Sequence, residues 1–197
     1  MSAPLPVSPN PPRIEEWRLD GLPPDTLARD LEMLADVLHA VVHDGAGVSF
    51  VVPFSTEEAR AFWDRTVAPG VRAGTRRVLV ARQDGRIVGT VQLVLDVPPN
   101  QRHRAEVVKL LVHPAMRRRG IARALMLALE RLAAAERRTL LTLDTWTGGA
   151  AERLYLSLGY VAAGSIPRFA RGSITPGLEP TTILYKELVQ PLTAAPA

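Results

Sequence analysis

Between Ala105 and Arg137 the chain changes its periodicity, and this constrains the fold more than any other stretch. Ala105 to Val112 is a mostly apolar run of strand length that stops at His113-Pro114. From about Arg119 to Arg137 the apolar residues fall at helical spacing, with Ile121, Leu125, Leu129 and Leu132 on one face. Leu140-Leu141-Thr142-Leu143-Asp144 then reads as a buried strand. Strand, helix and strand in succession demand a sheet covered by helices.

The rest of the chain supplies the other layers. Ile14 to Leu19 is a candidate first strand. Leu27, Leu31, Leu34, Val37, Leu38 and Val41 predict a helix over 23–42, with Asp25 or Thr26 as its cap and Gly45 and Gly47 closing it. Ser55 and Glu58 form a capping box for a further helix that carries Phe62 and Trp63 and stops before Pro69-Gly70. Period two then sets in over 77–82 and 87–95, joined by the hairpin signal Asp84-Gly85. After 140–144, a short helix over 150–158 ends at Gly159, and strands over 160–163 and 181–186 close the chain, joined by a loop. The expected fold class is α/β, with a mixed sheet and no internal repeat.

A chain of 197 residues, 47% hydrophobic, suits one core. The expected organisation is a proline-rich tail over 1–12, a single domain over 13–190 and a C-terminal tail over 191–197. No apolar run approaches the roughly 20 residues of a membrane span, and the first residues lack the features of a signal peptide. With no cysteine, disulfides, thiolate zinc sites and a cysteine nucleophile are excluded, and a cytoplasmic location is expected. A formal charge of +4 does not call for nucleic acid as a partner, and no histidine–carboxylate spacing suggests a metal. The arginines are nevertheless bunched at Arg102, Arg104, Arg117 to Arg119 and Arg123, which suits a small polyanion.

Arg117-Arg118-Arg119-Gly120-Ile121-Ala122 opens the long helix directly after the strand. The first N–H groups of a helix lack internal partners and sit at the positive end of its dipole, and glycine lets an anion approach closely. Neither a Walker-type loop nor a dinucleotide Gly-x-Gly-x-x-Gly fingerprint is present.

Placed after Leu110-Leu111-Val112-His113-Pro114, this turn resembles the central motif of the GNAT N-acetyltransferase superfamily. A second signature, Ala151-x-x-x-Tyr155-x-x-x-Gly159-Tyr160, is similar to that family's later helix, and the resemblance spans roughly residues 75–188. Within the superfamily, the segments 106–114, 143–145 and 180–186 resemble the tabtoxin-resistance acetyltransferases. The resemblance implies a GNAT fold, with a mostly antiparallel mixed sheet of six to seven strands and about four helices. It also implies acetyl-CoA as co-substrate, a small-molecule primary amine as acceptor, a role in toxin or antibiotic resistance, and room for a homodimer. It further implies that backbone groups of Leu110, Leu111 and Val112 pair with the pantetheine arm. The amides of Arg117, Arg118, Arg119, Gly120, Ile121, Ala122 and Arg123 would then hold the phosphates. Gly148 departs from the pattern, because many members carry asparagine there.

Acyl transfer to an amine requires loss of the amine proton, polarisation of the thioester carbonyl, proximity, and protonation of the leaving thiolate. Tyr155 is the candidate general acid, since a phenol is protonated at neutral pH. Glu106 and Asp144 are both candidates to accept the amine proton, directly or through water, or to hold the ammonium. His113 before Pro114 reads as a turn-shaping residue and His103 as a weaker base candidate; Trp63 and Trp146 are candidates for pocket or core. Two other readings stand beside a small-molecule enzyme: a peptide or protein N-acetyltransferase, and a non-catalytic acyl-CoA sensor.

Overall fold

The computed structural model describes residues 11–188. Its elements are β1 (Arg13–Glu16), α1 (Pro24–His43), α2 (Thr56–Phe62), a π-helical turn (Trp63–Val67), α3 (Ala68–Arg72), β2 (Arg76–Gln83) and β3 (Arg86–Val94). There follow β4 (Arg104–Val112), α4 (Ile121–Ala135), β5 (Leu140–Trp146), α5 (Ala150–Ser157), β6 (Val161–Arg171) and β7 (Leu178–Glu187). Most of the expected tails, residues 1–10 and 191–197, lie outside the described residues.

The architecture is the expected α/β one, a seven-stranded sheet in the order β1-β2-β3-β4-β5-β7-β6. Only β4 and β5 run parallel, because α4 carries the chain back between them across one face. Four helical units flank the sheet when α2, the π turn and α3 are taken as one continuous stretch. Leu125 and Leu129 of α4 pack with Val91, Leu93, Val107 and Leu141 on one face. On the other, Leu34, Leu38 and Trp63 cover Val78, Val80 and Leu111. Gly89 permits β3 and β4 to approach, since a Cβ there would lie 2.9 Å from the Leu111 carbonyl oxygen.

The sheet opens at its centre. Between Thr90 and Gln92 the β3–β4 register slips, and Lys109 adopts a left-handed φ of 54°. This bulge inserts an extra residue and shifts the alternation: Ala105 and Val107 face α4 before it, Leu110 and Val112 after it. Beyond the bulge the strands part. β4 and β5 pair only through Arg104–Glu106 with Leu140–Thr142, so the rest of each strand lacks the other as a ladder partner.

Several expectations change. β1 ends at Glu16, although the Trp17 N–H still reaches the Val78 carbonyl at 2.8 Å. α1 has Pro23 at its cap with no side-chain bond, and Pro24 presets the first turn in place of an Asp25 or Thr26 cap. The capping box is present, with the Ser55 hydroxyl accepting from Glu58 N–H at 3.1 Å and the Ser55 N–H donating back at 2.7 Å. The helix does not stop before Pro69, because the π turn widens the helix just ahead of it and relieves the clash that proline makes in an α-helix. Residues 164–180 are not simply a loop: β6 runs to Arg171 and β7 starts at Leu178.

Candidate active site

The parted strands and the turn after β4 make one half of a cleft. His113 accepts the Ala115 N–H on Nδ1 at 3.3 Å and so shapes the turn. Arg118 and Gly120 both have left-handed φ, 63° and 77°, and the helix starts at Ile121 rather than Arg119. Among the described residues, the backbone N–H groups from Arg118 to Arg123 make no hydrogen bond. A row of free donors at the positive end of α4 is an anion cradle. A Cβ built on Gly120 meets nothing within 4 Å, so backbone conformation and open space, not crowding, define this glycine.

The arginine side chains do different work. Arg117 is ion-paired with Asp44 at the end of α1. Arg123 donates to the Ser157 hydroxyl at 2.6 Å, tying α4 to α5. Arg118 and Arg119 are exposed. The donor set therefore fits a phosphate-bearing group mainly through the backbone, and the free edge at Leu110, Leu111 and Val112 fits an extended amide-containing arm.

Across the cleft lies a cavity of about 280 Å³, lined in part by Ser49, Asp144, Trp146, Phe169, Arg171 and Thr181. Asp144 accepts from the Thr181 hydroxyl at 3.0 Å. The two tryptophans separate: Trp63 is fully buried in the core, while Trp146 is 46% exposed on the cavity wall. A second depression, of about 260 Å³, sits at the far end of the sheet around Arg77 and Glu136, away from every candidate residue.

Tyr155 lies in the apolar core, off the cavity wall, but feels the charge of Asp144. Tyr155 is buried against Tyr160, with ring centroids 5.7 Å apart, and burial first and the Asp144 carboxylate second push its phenol above the usual value. Glu106 is half-buried where β4 and β5 last pair, and it acts electrostatically on Arg76 and Lys109. His103 is exposed and offers its carbonyl to Thr139. Gly148 has φ 78°, where a side chain would be strained; its N–H donates to the Glu152 carboxylate, and its carbonyl accepts Arg153 at 2.9 Å.

Lys109 is not among the residues expected at the site from the sequence. Its ammonium donates to the Ser49 hydroxyl at 3.0 Å and lies 5.8 and 5.9 Å from the Phe50 and Phe62 ring centres. Burial lowers its pKa, against the opposing pull of Asp144. The available signal was scarcity, because Lys109 and Lys186 are the only lysines among 24 basic residues. The β6–β7 hairpin left no comparable signal. Among the described residues no helix is long and apolar enough to cross a membrane, and no group of three or more metal-ligating side chains is present.

The acetyltransferase (GNAT) family matches residues 40–160. An uncharacterized N-acetyltransferase in the hisH-hisA intergenic region of Azospirillum brasilense is 36% identical over 124 residues, covering 61% of this chain and 71% of the relative. The fold is shared with the acetyltransferase yncA of Salmonella typhimurium, solved with its cofactor acetyl-CoA: TM-score 0.70, 20% identity, 95% of this chain and 99% of that one. It is shared as well with a GCN5-related N-acetyltransferase from Kribbella flavida: TM-score 0.70, 22% identity, 92% of this chain and 100% of that one.

Proposed function

The chain belongs to the GNAT acetyltransferase family, an acetyl-CoA-dependent N-acetyltransferase, and from that premise we propose direct transfer to a primary amine of a small molecule. The observation that carries the reading is the parting of β4 from β5 beside the unpaired amides of 118–123. Both lie on one continuous path that an extended, phosphate-bearing thioester can follow. A cavity of about 280 Å³ near the low end of small-molecule sites favours a compact acceptor over a peptide laid in an open groove. The likeness of segments 106–114 and 180–186 to the tabtoxin-resistance acetyltransferases supports a toxin or antibiotic amine.

In this reading Glu106 or Asp144 takes the amine proton, directly or through water. The freed nitrogen attacks the thioester carbonyl carbon, whose oxygen is polarised by a main-chain N–H on the β4 edge. As the C–N bond forms and the C–S bond breaks, the Tyr155 hydroxyl donates to the departing sulfur. A phenol held above its ordinary pKa of about 10 keeps its proton throughout the neutral range. No covalent intermediate on the enzyme is needed, since proximity and orientation alone supply several kcal/mol.

Acetyl-CoA should raise the thermal midpoint of the full chain, because a ligand that binds only the folded state stabilises it. A panel of amines assayed for thiol release then identifies the acceptor, with turnover expected on compact primary amines. Stabilisation without turnover on any amine would mark a binding-only module, and preference for peptide N-termini would overturn the small-molecule reading.

A further inference from the structure

We propose that Lys109 is acetylated by the chain's own bound acetyl-CoA when no acceptor fills the cavity, making the donor strand a self-modification site. The inference rests on the reading above, in which β4 beyond Glu106 holds the thioester arm.

The first support is distribution. Of 24 basic residues only Lys109 and Lys186 are lysines, so only these two side chains offer a primary amine. Lys186 is fully engaged elsewhere: its ammonium sits 2.7 Å from Glu130 and 2.7 Å from the Leu158 carbonyl, over the Tyr160 ring. Lys109 instead stands on the bulge, immediately before Leu110, at the edge left open by β5.

The second support is the local backbone. Lys109 and Ser49 both hold left-handed φ, 54° and 76°, in residues that are not glycine, and their side chains are bonded to each other at 3.0 Å. Such strain persists only where the surroundings enforce it. Ser49 lines the cavity, so this hydrogen bond directs the amine of Lys109 to the cavity wall.

The third support is chemistry. A lysine ammonium is a compact, titratable group, whereas a guanidinium stays charged and is not acylated under these conditions. Burial favours the neutral amine and Arg76 adds to it; Asp144, Glu106 and the neighbouring Phe50 and Phe62 rings oppose it. The neutral Nζ attacks the thioester carbonyl carbon, a C–N bond forms and the C–S bond breaks. One nitrogen proton is passed to the leaving sulfur, giving an amide and the free thiol of coenzyme A. The product has lost the positive charge facing Asp144 and Glu106, and of the three N–H donors of the ammonium only one remains.

The full chain is incubated with acetyl-labelled acetyl-CoA without an amine and analysed by peptide mass spectrometry, with acetyl-CoA affinity measured in parallel by calorimetry. The expected result is one acetyl group on the Lys109 peptide and none on the Lys186 peptide. Addition of an acceptor amine suppresses the label, and Gly120→Glu, verified as folded by its melting curve, abolishes it. Normal acetyl-CoA binding with unmodified Lys109 overturns the inference while leaving the cleft reading intact. So does equal labelling of both lysines that persists in Gly120→Glu, which marks uncatalysed acylation from solution. Loss of acetyl-CoA binding by the wild type overturns the cleft reading, and this inference with it.

Discussion

In the proposed reading, the donor half of the cleft comes from one continuous stretch, Leu110 to Arg123, and works mainly through backbone groups. The proposed acceptor half gathers Ser49, Asp144, Trp146, Phe169 and Thr181 from separate segments and would work through side chains. The first kind of site needs only small residues and a particular backbone path. The second kind can change one side chain at a time without disturbing the fold. On this reading, donor specificity is fixed by the architecture and acceptor specificity is set locally.

Mutations that separate the halves should differ in what they damage. The largest effect is expected for Gly120→Glu, which puts a carboxylate over the free amides and forces a left-handed φ on a residue with a Cβ. Acetyl-CoA affinity by calorimetry should fall roughly a hundredfold or more, about 1.4 kcal/mol for each factor of ten. Gly120→Asn, which tolerates that φ better and adds no charge, should retain most of the affinity. Unchanged affinity in Gly120→Glu would remove the turn from the donor site.

Tyr155→Phe should lower kcat by about a hundredfold with little change in acetyl-CoA affinity. Because burial and Asp144 raise the Tyr155 pKa, the phenol keeps its proton to higher pH than free tyrosine. The wild-type pH–rate profile should therefore show no alkaline fall from Tyr155 below about pH 10. A fall that sits near pH 8 in wild type and disappears in Tyr155→Phe would contradict this assignment.

On the acceptor side, Asp144→Asn should raise the KM of the amine roughly tenfold, the loss of one charged hydrogen bond, without altering acetyl-CoA affinity. Comparing its acid limb in kcat/KM with that of Glu106→Gln identifies the base, since the limb vanishes only in the variant that lacks it. The smallest effects are expected for Arg118→Ala and Arg119→Ala, about two- to threefold in acetyl-CoA affinity, because both side chains are exposed. A loss as large as that of Gly120→Glu would shift the work from backbone to side chain.

The same contrast explains what could be read from the sequence. The strand, turn and helix over 105–137 announced themselves because each element is local and periodic. Gly120 marked one of the two left-handed positions in the turn, the other being Arg118, which has no such sequence signature. The helix that carries Tyr155 was legible from the spacing of Ala151, Tyr155 and Gly159. The cavity was not, since it depends on Ser49, Phe169 and Arg171 meeting through tertiary packing. Phe169 and Arg171 lie on β6, which is exposed along its whole length and so lacks the alternating burial that signals a strand. Lys109 was hidden by its own bulge, because the slip in register turns its side chain against the simple alternation of β4.

Hydrogen exchange of the full chain, with and without acetyl-CoA, tests the division of the cleft most directly, because it reads backbone amides one by one. The account expects new protection at Leu110 to Val112 and Arg118 to Arg123, with the cavity side at Phe169 to Thr175 changed far less. Tight binding that leaves 110–123 unprotected, or that protects the β6–β7 hairpin instead, would contradict it.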